Sequence, residues 1–444
     1  MKYAKIVILG GASPYWTPRN VALMACSASV NEAEVVLADV AFDRAEHMAG
    51  LCNKMVARAF PGVKLRVSAA PSADAAMPGT DAVIACYRNG GHDIEGRINA
   101  IAEKYASRQN CFTAGPAAVI YLATQGPALV DLVRSMLRHA PNAWLVNCAN
   151  PLPAMCMLAV KAGAQPRRVL GFCGALAWHR QFLARYLDAA PERIAFRIGG
   201  TNHCTFFTEI MLDGRDAYPM VRELGRSKQW IDMGEWGRST VEIKMLHALG
   251  YLCAPGHTTD VYPMFSGEWM PALAAAPRLT ADNKPGFMDV LEGYARGETV
   301  DWAPVSGREV PVLWLDALAS GGPSPCGGPS PCGGPSTGGE HLFSINTMNL
   351  GAVPNLPEWS VPDLECYLDA RGVAPLAVPP LPEHLAEVVR MHHTSFDMAA
   401  RAVLARDHGL LVKAVQLCPF GHYMESAEAI LADARDAFGK DLIF

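Results

Sequence analysis

Lys5 to Leu9 is a five-residue apolar run that passes directly into Gly10-Gly11-Ala12-Ser13, and a helix-forming stretch from Pro18 to Ser29 follows. Few folds bring a strand, a glycine turn and a helix start together in that order. The order lets backbone N–H groups and a helix N-terminus meet a pyrophosphate. A glycine turn alone is also compatible with a plain tight turn, but a second apolar strand, Glu34 to Ala38, ends in Asp39. An acid at the end of the second strand is where a dinucleotide-binding unit grips the adenosine ribose hydroxyls. The N-terminal half is therefore expected to be a Rossmann unit holding a dinucleotide, with Gly10, Gly11, Ala12, Ser13 and Asp39 against the cofactor.

The alternation continues as the spacing of apolar residues requires. Asp43 to Ala59 reads as helix, Lys64 to Ser68 as strand, Asp81 to Cys86 as strand, and Asn99 to Arg108 and Thr124 to His139 as helices with Gly115-Pro116 between them. Ala143 to Cys148 is a further strand, and it runs into Asn147-Cys148-Ala149-Asn150-Pro151. Asparagines at a strand end either cap the next helix or bind ribose and sugar hydroxyls, since an amide both donates and accepts. Arg168 to Gly171 is the next strand, then come the helix Ala177 to Leu187, a strand-like run from Ile194, and Cys204 to Leu212, which opens an antiparallel region. The expected class is α/β: a doubly wound sheet over residues 1–200, then an α+β substrate-binding and oligomerisation domain over 201–444. Within the second part, 319–339 repeats Gly-Gly-Pro-Ser and is expected to be a flexible insertion.

Composition restricts the partners. Charged residues make up 18% and the net charge is -5, so there is no basic footprint for nucleic acid. Neither a secretory h-region nor an unbroken apolar span of membrane length is evident, and the 13 cysteines are irregularly spaced. The expectation is a cytoplasmic protein with reduced thiols, no membrane and no nucleic-acid partner, whose amphipathic C-terminal helices (382–407, 410–416, 425–438) pack on the second domain or build a homodimer or homotetramer.

Two turns carry the chemistry. Cys173, in LGFCGALAWHR, and His203, in IGGTNHCTFF, each follow a strand-like run, as residues at a pocket rim do. A thiolate and an imidazole can hold one divalent metal while leaving positions open for substrate; a buried small cysteine and a satisfied core histidine are the bland alternative.

Several of these motifs together resemble the NAD-dependent glycosidases of glycoside hydrolase family 4. They are Gly10-Gly11-Ala12-Ser13 with Tyr15, Thr17 and Pro18; Asn147 to Pro151; the Cys173 turn; Asn202-His203; and Asn346 to Pro357, in that order along nearly the whole chain. The family stands outside the two-carboxylate glycosidase scheme. The resemblance implies a lactate/malate dehydrogenase-like fold and a redox-assisted elimination. NAD+ takes hydride from sugar carbon 3, a base removes the proton on carbon 2, the aglycone leaves, water adds, and the hydride returns. It implies manganese held by Cys173 and His203, Asn150 and Asn202 at substrate hydroxyls, and Asn147 toward the cofactor. The chain departs from the pattern at Gly174, where many relatives keep an Asp, Asn or His, so the leaving-group acid is unassigned. Asp260 is the expected base, with Tyr262 second, because position 265 is Phe265 instead of the family's Tyr. Arg97 is the candidate for any substrate phosphate. Two other readings of the chain remain: an NAD-dependent 2-hydroxy acid dehydrogenase without metal, for which no His-Asp pair and carboxylate-binding Arg stand out, and a non-catalytic nucleotide-sensing protein.

Overall fold

The computed structural model describes residues 2–91, 93–107, 114–173, 176–232, 238–254, 311–320, 342–419 and 423–439, with isolated positions at 289, 292, 293, 296, 421 and 442. Short runs rich in Val, Ile and Ala form the parallel strands β1 (Lys5–Leu9), β2 (Glu34–Ala38), β3 (Arg66–Ala70), β4 (Ala82–Ala85), β5 (Trp144–Asn147) and β6 (Val169–Gly171). Helices α1 (Thr17–Cys26), α2 (Phe42–Ala59), α3 (Ala73–Ala76), α4 (Ile94–Lys104), α5 (Gly115–His139) and α6 (Leu152–Lys161) connect them. After α7 (Leu176–Leu187), β7 (Ile194–Thr201) and β8 (Cys204–Leu212) form an antiparallel hairpin, to which β9 (Arg215–Asp216) adds. Helix α8 (Tyr218–Ser227), the two-residue strands β10 (Ile231–Asp232) and β11 (Arg238–Ser239), α9 (Val241–Leu249) and α10 (Val312–Ser320) follow. The chain ends through β12 (Leu342–Asn346), β13 (Asp363–Asp369), β14 (Gly372–Pro375), α11 (Glu383–Ala405), α12 (His408–Gln416) and α13 (Ala427–Phe438).

The main sheet has nine strands in the order β14-β13-β12-β6-β5-β4-β1-β2-β3. Its parallel part, 3-2-1-4-5-6, is the dinucleotide-binding order. Alternation along each strand divides the core between two faces: Val7, Val83 and Leu145 pack with α5 and α6, whereas Ile6, Ile8, Leu37 and Val146 pack toward α1, α2 and α10. Strands β12 to β14, which begin about 140 residues downstream of the hairpin turn, rejoin this sheet antiparallel to β6, through the pair Asn346 and Gly171.

Two local expectations are corrected. Gly115-Pro116 is no break between helices but the start of α5, because a proline in the first turn has no intrahelical N–H partner to lose. The strand expected over Lys64 to Ser68 lies two residues later, at Arg66–Ala70. After β12, Asn349 collects the chain into turns by donating to the carbonyls of Val353 and Leu356 and accepting from the Val353 N–H. Helix α5 is long and apolar enough to cross a membrane by composition, yet 83% of its apolar window is buried inside the protein, which makes it a core helix.

Candidate active site

The nucleotide end is built where β1 and β4 lie side by side and the strand order reverses. Gly10 leaves β1 with φ of 83°, and a Cβ there would lie 2.6 Å from the Cys86 carbonyl oxygen, so the close approach and the positive φ both demand glycine. The N–H groups of Gly10 and Gly11 donate to the Ala38 carbonyl at 3.0 and 3.3 Å. The Asp39 carboxylate closes the turn from the other side: the Ala12 N–H donates to Oδ2 at 3.0 Å and the Ala41 N–H to Oδ1 at 2.9 Å. Ser13 accepts from the Trp16 N–H through its hydroxyl at 3.1 Å, and Thr17 donates to the Gly11 carbonyl at 2.8 Å. The five residues expected against the cofactor thus form one hydrogen-bonded unit that opens onto α1. The loop after β4 is held by buried Gln125 of α5, which accepts from the Asn89 N–H at 2.7 Å and donates to the Asn89 carbonyl at 3.0 Å.

The Cys173–His203 end lies at the next strands of the same edge. Phe172 packs edge-on against Trp314, with 4.6 Å between centroids, and so anchors the residue before Cys173. His203 occupies the two-residue turn between β7 and β8 with φ of 63°. The structure brings the two side chains together: Cys173 Sγ and His203 Nε2 are 3.9 Å apart and both are half-buried. Bonds of about 2.3 Å to sulfur and about 2.1 Å to nitrogen span such a gap around one ion. Beside them Asn202 is buried with its Oδ1 lacking a hydrogen-bond partner among the described residues, and both amide atoms of fully buried Asn346 are in the same condition. An unpartnered buried acceptor costs about 1–3 kcal/mol, a cost tolerated where another group completes the site. The thiol, the imidazole and these amide oxygens are a donor set that fits a divalent cation and its substrate. Among the described residues no third His, Cys, Asp or Glu joins the pair.

Behind the His203 turn lies a polar layer that the sequence reading missed. Buried Asp363, at the start of β13, accepts from Ser344 through Oδ1 and from Thr205 through Oδ2, the latter at 3.1 Å. Burial pushes its carboxyl above the usual carboxylate range, against the pull of those hydroxyls and of the nearby His203. Thr205 also reaches the Thr201 carbonyl, and the Thr201 hydroxyl meets His393 Nε2 of α11 at 2.9 Å. Two places along, Glu365 pairs with Arg197 at 3.3 Å, and burial raises its carboxyl to about 7. The signal was present in the sequence: Asp363 and Glu365 share one face of β13 with Tyr367 and Asp369, while Leu364, Cys366 and Leu368 on the other face are apolar.

The remaining candidates are distributed as follows. Asn147 is fully buried, and its amide closes on Ala149, donating to the carbonyl at 2.8 Å and accepting from the N–H at 3.3 Å. Asn150 is half-buried at the start of the turn into α6 and joined to Pro151 by a cis peptide bond. Arg97 donates to the Ala437 carbonyl, stacks on Phe438 at 4.6 Å and lies 4.0 Å from Asp93, all on the α4 and α13 side. Asp260, Tyr262, Gly174 and residues 321–339 of the Gly/Pro/Ser segment lie outside the described residues, whereas Ala319 and Ser320, expected to open that insertion, are the last turn of α10.

A 3-2-1-4-5-6 sheet with a glycine turn, an acid at the end of β2 and a Cys–His pair at its carboxyl edge defines a dinucleotide enzyme of dehydrogenase architecture that carries a metal-competent centre. The chain belongs to the family 4 glycosyl hydrolases and is a glycosidase: the family 4 glycosyl hydrolase model matches residues 5–189, and the family 4 glycosyl hydrolase C-terminal domain matches 198–300 and 336–420. It is 22% identical to an alpha-galactosidase of Bacillus subtilis (strain 168), over 98% of this chain and 97% of that one. A 6-phospho-alpha-glucosidase from gut microorganisms, solved in complex with NAD and Mn2+, has the same fold at a TM-score of 0.79 and 19% identity, covering 100% of this chain and 99% of that one. Malate dehydrogenase of Cryptosporidium parvum matches more distantly, at a TM-score of 0.51 and 12% identity over 91% of this chain and 100% of the other.

Proposed function

We propose that this glycosidase cleaves a small glycoside by NAD-dependent oxidation at carbon 3 followed by elimination, with a divalent ion, manganese, between Cys173 and His203. The observation that carries the reading is the approach of those two side chains to 3.9 Å at the carboxyl edge of a dinucleotide-binding sheet. Held against Gly10 to Ser13 and Asp39, NAD+ would supply reversible hydride removal at sugar carbon 3, and an ion held by Cys173 and His203 would supply polarisation of the hydroxyls of carbons 2 and 3.

The protein's own groups do the rest. Gly10 to Ser13 shape the close-packed turn that brings the pyrophosphate to the start of α1, and the Asp39 carboxylate has lone pairs left for ribose hydroxyls beyond its two backbone donors. Asn150 and Asn202 hold sugar hydroxyls beside the ion, and the orphaned Asn202 Oδ1 supports that role. Asn147 shapes the turn on which Asn150 stands and so acts on the cofactor side through the backbone. Asp260 takes the carbon 2 proton, with Tyr262 as the second choice, while the bond from carbon 1 to the aglycone oxygen breaks and that oxygen is protonated. Water then adds across carbons 1 and 2. The protein works in the cytoplasm as a homodimer or homotetramer; the long C-terminal helices support the second part of that reading.

The test is a panel of nitrophenyl glycosides, free and 6-phosphorylated, assayed with NAD+ and manganese in deuterium oxide. Solvent deuterium is expected at carbon 2 of the product sugar. Hydrolysis that leaves the carbon 2 proton in place would overturn the elimination, and no hydrolysis of any member with both cofactors would overturn the activity.

A further inference from the structure

Gly171, Asn346 and Asp363 lie in one row across β6, β12 and β13, so at sheet spacing the Asp363 backbone stands about 10 Å from the strand that leads into Cys173. From that position the side chain turns to the hairpin that carries His203. Thr205, two residues beyond His203, donates to Asp363 Oδ2 at 3.1 Å, and Ser344 donates to Oδ1. The opposite side of the same hairpin is held by His393 on the Thr201 hydroxyl, and burial lowers that imidazole far below its ordinary value, so the ring is a neutral prop. Two ligands on separate segments hold an ion only if their separation is fixed, and here the two segments are cross-linked through β12 and β13. Asp363 is 3% exposed, with little water to screen its charge from the neighbouring His203.

We propose that Asp363 is a positioning residue for the metal centre: through Thr205 and Ser344 it fixes the His203 turn against the Cys173 strand, and it supplies a buried negative charge behind the imidazole that favours a cation in front of it. The proposal rests on the metal reading given above. Outer-layer groups that orient a ligating residue are worth about 10–100-fold in metal affinity, and Asp363 does so here through Thr205, two residues from the ring.

Manganese is titrated by calorimetry into the full-length protein saturated with NAD+, for the wild type, Asp363→Asn and Thr205→Val. Asp363→Asn keeps the shape and removes the charge, and about 10–100-fold weaker manganese binding is expected with NAD+ affinity changed by less than about twofold. Thr205→Val keeps the charge and removes one link, and a loss of about threefold or more is expected; this variant carries the test should Asp363→Asn not fold. Manganese affinity within about twofold of the wild type in the folded variants would overturn the proposal, as would manganese and NAD+ affinities falling together, the signature of general unfolding. A wild-type protein that takes up no manganese would overturn the metal reading itself, an outcome distinct from a wild type that binds and a variant that binds equally well.

Discussion

Replacing Asp39 by Asn separates two tasks that the carboxylate performs at once. Its two oxygens accept from two different N–H groups, Ala12 at 3.0 Å and Ala41 at 2.9 Å, and an amide has a single oxygen to offer. One N–H therefore faces an NH2 group. A hydrogen bond to a charged acceptor contributes about 1.5–3 kcal/mol, and because Asp39 is half-buried, water recovers part of it, leaving a cost of about 1–2 kcal/mol. For a chain of this size that lowers the melting temperature of the NAD-free protein by about 1–2 °C. The ligand side is larger if the same oxygens also take ribose hydroxyls: about 1.5–3 kcal/mol, or about 10–100-fold in NAD+ affinity, read by quenching of protein fluorescence. Removing the negative charge also narrows the preference for NAD+ over NADP+, whose 2′-phosphate it repels. An Asp39→Asn protein with the lowered melting temperature but NAD+ affinity within about twofold of the wild type would refute the ribose assignment and leave Asp39 as a brace of the turn.

Two further outcomes follow from side chains away from the cofactor. Burial depresses His392 to about 4, so its unfolded form takes a proton near 6.5 while the folded form does not; the stability it contributes is complete above pH 6.5 and is lost as pH falls toward 4, by about 2 kcal/mol at pH 5. Urea unfolding of His392→Phe at pH 5 and 7.5 should show a smaller acid loss than the wild type, and parallel losses would contradict the assignment. Arg97→Ala removes a hydrogen bond to Ala437 and a stack on Phe438, so it should lower the melting temperature by about 1–3 °C with KM for the glycoside unchanged; a KM raised about tenfold or more would return Arg97 to the substrate.

The parallel half of the fold was legible because each of its signals is local. Gly10 needs its positive φ within one turn of β1, and Asp39 lies at the end of the next strand, so the spacing of apolar runs and glycines carries the topology. Cys173 and His203 were legible one at a time, as residues just past strand ends; that they meet at 3.9 Å depends on how the hairpin folds back on the sheet, which no local pattern encodes. Asn147 illustrates the opposite case. The same amide chemistry that suggested a hydroxyl ligand is used to close its own turn on Ala149, and sequence cannot choose between two partners of equal chemistry. Asp363 was missed because its partners Thr205 and Ser344 lie on other strands, although the acid-apolar-acid alternation of Asp363-Leu364-Glu365 marks an inward polar face. The start of α5 at Gly115 was misread by treating Gly-Pro as a stop when it stands at a helix N-terminus, where proline costs nothing.

The late return of β12 and β13 to the first sheet sets an order of events during synthesis. Both members of the Cys173–His203 pair have left the ribosome long before Asp363: 158 residues separate Thr205 from its partner Asp363, about 8–30 s of elongation at ordinary rates. Through that interval the thiol of Cys173 and the ring of His203 belong to a nascent chain whose sheet still ends at β6, with an open edge where β12 will lie. Completion of the Cys173–His203 corner is thus one of the last steps in making the protein, and a thiol beside an imidazole waits at that edge until about the last quarter of the chain arrives to shut it.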